Sequence, residues 1–168
     1  MEYSKFRVSS PIKSFRDLEV YQKTIHLSYE ITNLSFLQET EFEKDKIQLK
    51  EISEKIPLLI AESYGDRFDS LEIANSKLNE AITYITDIIT KIDLLRDRFA
   101  EQRECKDILD KLLTNYAYQK TKILNLRKAW NRVFDKRENE NENRESYSKY
   151  PKNYNNFNNK GSTWQKKA

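Results

Sequence analysis

From Leu71 to Phe99 apolar side chains recur at alternating spacings of three and four: Leu71, Ala74, Leu78, Ala81, Ile85, Ile88, Ile92, Leu95 and Phe99. This is a heptad seam, and an α-helix places such positions on one face. Ile73, Ile82 and Ile89 widen it. Asp69 and Glu72 form a cap pair ahead of it, with carboxylates at the positive end of the helix dipole. The pattern predicts a helix of about 30 residues and about 45 Å.

Three other stretches carry the same period. The first runs from about Phe15 to Leu37. Ser14 caps it, with Asp17 three residues on in a box-like pattern. Leu18, Tyr21, Ile25 and Tyr29 share its apolar face, and Ile31 and Leu34 broaden that face. The second runs from about Phe42 to Tyr64, with Leu49, Ile52, Ile56, Leu59, Ile60 and Ser63 as its seam. Pro57 lies in its middle, where a proline costs roughly 3 kcal/mol and predicts a kink. Gly65 supplies the stop, because glycine tolerates a left-handed conformation. The fourth runs from about Arg103 to Phe134 along Cys105, Leu109, Leu112, Tyr116, Gln119, Ile123, Leu126, Trp130 and Val133. Cys105 sits on that seam and reads as a small core residue.

With 2 glycines and 3 prolines the chain has too few turn residues for a sandwich or barrel. The expected fold is all-α: an antiparallel up-down four-helix bundle over residues 14–134, with long third and fourth helices. A flexible N-terminus at 1–13 precedes it, and a disordered basic and aromatic tail at 135–168 follows, since its composition buries little apolar surface. The wide faces of the third and fourth helices fit a thick core, and they also fit a subunit interface. No apolar run is long enough to span a membrane, and "MEYSKFRVSS" has no secretory apolar region. One cysteine allows no internal disulfide. These features predict a cytoplasmic location.

Charge is unevenly spread. Residues 37–110 hold 18 acidic and 11 basic side chains, whereas residues 111–134 hold Lys111, Lys120, Lys122, Arg127, Lys128 and Arg132 and no acid. Residues 146–168 hold Lys149, Lys152, Lys160, Lys166 and Lys167, again without an acid. Tyr150, Tyr154, Phe157 and Trp164 are interleaved with those lysines. Lysines meet phosphates and aromatic rings stack on unpaired bases, so this pattern points to a polyanionic partner, RNA in preference to DNA. The same residues also suit a solvated helix face and a solubilising tail.

Catalytic patterns are missing from the sequence. His26 has no cysteine or histidine neighbour at metal-ligand spacing, and one histidine cannot complete the Glu-x-x-His pairs of a di-iron bundle. Gly65 and Gly161 belong to no phosphate loop, and no serine lies in a nucleophile elbow. The sequence predicts no enzyme activity, no cofactor and no metal.

"SFRDLEVYQKT" (Ser14 to Thr24) resembles the first-helix signature of the four-helix-bundle family named after proteins encoded in ribosomal-RNA intervening sequences. Phe15, Asp17, Leu18, Val20 and Gln22 match, and Tyr21 replaces the usual tryptophan. "KIPLLIAESYGDR" resembles the family's second-helix stretch at Ile56, Pro57, Ile60, Ala61, Glu62 and Gly65, with Ser63 where a glycine is usual. "EIANSKLNEAITYITDI" resembles the third-helix pattern at Ala74, Leu78 and Glu80, with Lys77 after Ser76 where the family often has Gly-Ser. The likeness spans about residues 13–130. The basic fourth helix and the tail look more like the branch containing Avd, the accessory variability determinant of diversity-generating retroelements. That resemblance implies a pentameric, non-enzymatic protein that binds RNA and a reverse transcriptase. The contrasting expectation is a protein–protein scaffold whose basic residues complement an acidic patch and touch no nucleic acid.

Overall fold

The computed structural model describes residues 13–37 and 41–148, with side chains as far as residue 140. Among the described residues every regular element is helical and there is no strand. Helix α1 is Glu19–Thr32, α2 is Glu43–Asp66, α3 is Leu71–Arg98 and α4 is Arg103–Ser148. Short 3-10 turns at Phe15–Asp17 and Ser35–Leu37 flank α1. The chain divides into two units, Met1–Phe134 and Asp135–Ala168. No helix among the described residues is long and apolar enough to cross a membrane.

The seam on α3 becomes the core. Ala74, Leu78, Ala81, Ile85, Ile88, Ile92, Leu95 and Phe99 are all buried. They meet Leu27 and Ile31 of α1, Leu49, Ile56 and Ile60 of α2, and Leu109, Leu112, Tyr116 and Ile123 of α4. Ser70, not Asp69, caps α3: its hydroxyl accepts from the Ile73 N–H at 3.3 Å. A serine in extended backbone just before the helix reaches that donor, whereas Asp69 lies one residue too early. Ile73, expected to widen the seam, is 53% exposed.

The first helix is shorter than its periodicity suggests. Ser14 and Asp17 do form a capping box, but around the 3-10 turn, and Leu18 is extended before α1 begins. At the other end Asn33 leaves helical geometry and its N–H bonds to the Tyr29 and Glu30 carbonyls. The buried face also differs. It is Val20, Thr24, Leu27, Ser28 and Ile31, while Tyr21 and Ile25 are half-buried and Tyr29 is exposed. Two hydroxyls make this face tolerable. Thr24 Oγ1 donates back to the Val20 carbonyl at 2.9 Å. Ser53 Oγ of α2 donates to the Lys50 carbonyl at 2.8 Å, so Ser28 Oγ donates to Ser53 Oγ across 3.2 Å.

Pro57 is buried within α2, which runs uninterrupted to Asp66. Ser63 is buried and its hydroxyl donates to the Ala74 carbonyl at 3.0 Å, tying α2 to α3. Gly65 does not end the helix. It lies inside α2, no described glycine has positive φ, and a Cβ there would meet nothing within 4 Å. The Gly65→Ala variant is therefore expected to gain about 0.5–1 kcal/mol, read as a higher denaturation midpoint, because alanine loses less backbone entropy in a helix.

Helix α4 corrects the expected end at Phe134. It continues to Ser148, through residues expected to be disordered. Between Arg103 and Ser148 there is no glycine or proline, and Glu, Lys and Arg are strong helix formers. Asp135 to Glu140 are all exposed, so this part of the helix rests on propensity and on side-chain pairs such as Lys136–Glu140 at 3.9 Å. The expected seam also ends early: Trp130 is half-buried and Val133 is exposed.

Tyr116 is fully buried, and its hydroxyl has no hydrogen-bond partner among the described residues. Burial, and then the Glu30 carboxylate, push its pKa far up, so the phenol stays neutral. An unpaired buried hydroxyl carries its desolvation cost without return. Tyr116→Phe is expected to raise stability by about 1 kcal/mol, measured by chemical denaturation.

Candidate nucleic-acid interface

The apolar seam of α4 faces the core from Leu109 to Ile123, which turns its other faces outward. The cations of residues 111–134 occupy those faces, but they do not form one patch. Two reach toward α3: Lys120 Nζ donates to Thr86 Oγ1 at 2.9 Å, and Arg127 Nη1 donates to Asn79 Oδ1. Both acceptors are neutral, so each cation keeps its full charge while its side chain is held in place. Both residues are half-buried.

Lys122 reaches the other way, toward α1. Its Nζ is 3.6 Å from Glu19 Oε2 and 5.1 Å from the centroid of the Tyr118 ring. The Tyr118 hydroxyl, then the Glu19 carboxylate, raise the Lys122 pKa, so it is cationic at any physiological pH. Lys111 is exposed at a cleft of ≈ 420 Å³ between α1 and α4, which His26, Glu30, Leu34 and Ile108 also line. His26 Nε2 lies 3.2 Å from Glu30 Oε1 within that lining. Lys128 and Arg132 are exposed one turn apart. Lys111, Lys128 and Arg132 have no hydrogen-bond or ion-pair partner among the described residues.

Several cations elsewhere in the bundle meet carboxylates. Lys77 lies 2.9 Å from Glu62 and 2.8 Å from Asp66, Arg96 lies 2.6 Å from Asp93, and Arg98 lies 3.1 Å from Asp45. Over residues 111–134 only Lys122 has such a partner among the described residues. The stretch 111–134 of α4 holds no acid of its own, and this uncompensated positive charge is what marks it out.

Tyr118 is uncharged and so has no place in the charge pattern. It is 53% exposed and lies seven residues after Lys111 and four before Lys122, so the three share one stripe of α4. The spacing was the available signal. An exposed ring between two lysines can stack on a base while the lysines hold phosphates. The tail cations Lys149, Lys152, Lys160, Lys166 and Lys167 and the aromatics Tyr150, Tyr154, Phe157 and Trp164 lie outside the described residues. So do residues 1–12 of the expected N-terminal segment.

Among the described residues no group of three His, Cys, Asp or Glu side chains could hold a metal ion. Cys105 is half-buried against the core, with its thiol 3.3 Å from Gln102 Oε1. No family model, no curated protein and no solved structure matches this chain.

Proposed function

We propose that this chain is a non-enzymatic, cytoplasmic accessory protein that binds RNA through the outer surface of α4 and acts as a homo-oligomer. One observation carries the reading: residues 111–134 hold six cations and no acid, whereas residues 37–110 hold 18 acidic and 11 basic side chains. Contacts of this kind are with phosphates, so sequence preference is low and salt dependence is steep.

The bundle itself is proposed to be antiparallel and up-down. The polar pairs between α3 and α4 support it: Asn75 with Asn131, Asn79 with Arg127, Thr86 with Lys120 and Arg96 with Asp110. As the number rises on one helix it falls on the other. The pairs Asp66–Lys77 and Asp45–Arg98 run in opposite senses on α2 and α3 in the same way. Exposed Ile73, Leu94 and Val133 offer apolar surface for subunit contact. The resemblance to the Avd branch adds a pentamer as the assembly and a reverse transcriptase as the protein partner.

Titration of a labelled structured RNA across a salt series tests the central claim. The logarithm of the association constant is expected to fall linearly with the logarithm of salt concentration. No binding at low salt removes the claim. The exposed apolar residues also support the scaffold reading, in which a partner polypeptide docks and RNA does not. Capture of a partner that survives nuclease treatment, by a chain that binds no RNA, decides for it.

A further inference from the structure

Where α2 passes into α3, Arg67 is packed among three rings. Its Cζ lies 3.6 Å from the Tyr64 ring centroid, 4.4 Å from Phe68 and 5.2 Å from Trp130 of α4. The rings also meet one another edge to face, Tyr64 with Phe68 at 6.1 Å and Tyr64 with Trp130 at 6.5 Å. Arg67 is the C-cap of α2 and its backbone N–H bonds to the Ser63 carbonyl, which fixes the root of the side chain.

The rings surround the guanidinium, whose five donors lie in one plane. Arg67 has no hydrogen-bond acceptor and no carboxylate partner among the described residues. The neighbouring carboxylate of Asp66 is engaged with Lys77 at 2.8 Å. The fork is therefore oriented and unsatisfied. Beside it Phe68 is 67% exposed, an unusual position for a large flat ring.

We propose that Arg67 and Phe68 form a receptor for one nucleotide of an unpaired strand. The guanidinium edge takes a phosphate in a two-pronged contact, and the open ring of Phe68 takes the base by stacking. An acidic peptide would use the fork but has no repeating planar group for the ring. The inference deepens the proposed function and rests on RNA as the partner, and it adds a requirement for unpaired bases.

The test uses the full chain, an oligouridylate strand and the same strand in an adenylate–uridylate duplex, read by fluorescence anisotropy. Arg67→Lys keeps the charge and loses the planar fork. Phe68→Ala loses the ring. Each is expected to weaken strand binding about tenfold and to leave duplex binding unchanged. Phe68 is exposed and Arg67 half-buried, and thermal melts check that the fold is intact. Strand binding by Arg67→Lys equal to that of the parent overturns the proposal, as do equal losses on strand and duplex. Equal losses with an oligoglutamate probe overturn it in favour of a protein partner. A Lys111, Lys128 and Arg132 triple glutamine variant separates the two readings. If it binds like the parent while Arg67→Lys and Phe68→Ala lose strand affinity, the reading of α4 fails and this site stands.

Discussion

Ile88→Ala is expected to cost about 2–5 kcal/mol and Ile73→Ala no more than about 0.5 kcal/mol. Both isoleucines lie on α3 within the same apolar pattern, yet Ile88 is fully buried and Ile73 is 53% exposed. Truncating Ile88 removes apolar surface from the centre of the bundle and leaves a cavity that the surrounding Leu and Ile side chains fill only in part. Truncating Ile73 removes little buried surface, and alanine's higher helix propensity offsets part of it. Total stability in domains of this size is about 5–15 kcal/mol, so the first variant spends a large fraction of it. Its thermal midpoint is expected to fall by roughly 10 °C or more while that of Ile73→Ala barely moves. Equal shifts in the two melting curves would mean that α3 is rotated from the position described.

This pair also marks what the sequence could reveal. The α3 seam is legible because its aliphatic residues keep one period over the whole helix. No hydropathy rule separates Ile73 from Ile82, since that difference depends on which helices flank α3. Helix α1 was harder. Leu18, Tyr21, Ile25 and Tyr29 are periodic, and so are Val20, Leu27 and Ile31. Leu18 is buried as its period implies, but beyond it the core takes the second set, because Thr24 and Ser28 satisfy their hydroxyls against α1 and Ser53. A polar residue whose partner lies on another helix looks like a surface residue in the sequence. The continuation of α4 beyond Phe134 failed for the opposite reason. Its Glu, Lys and Arg residues favour helix, but a helix without an apolar face gives no periodic signal.

The candidate site was legible in composition and not in geometry. Six cations without an acid are evident in residues 111–134. Their division is not, because Thr86, Asn79 and Glu19 come from other helices. The Arg67 cluster is half legible: Tyr64 and Phe68 are close in sequence, but Trp130 arrives only through the fold.

That division sets the second large effect. Replacing Lys111, Lys128 and Arg132 together by glutamine is expected to weaken single-stranded RNA binding about a hundredfold near 0.1 M salt. Each phosphate contact to a single strand contributes about 0.7 to the salt slope, so three contribute about 2. These three residues are exposed and unpartnered, so removing them leaves the packing alone, and melting curves should overlay. Lys122→Gln should weaken binding less, because Glu19 at 3.6 Å already offsets part of its charge. Lys120→Gln and Arg127→Gln remove charge as well as the contacts to Thr86 and Asn79, so their losses mix binding with stability. The triple variant is the clean comparison, read as the slope of log affinity against log salt. A slope unchanged from the parent's would show that RNA does not lie along α4, since no redistribution among the remaining cations restores counterion release from contacts that no longer exist.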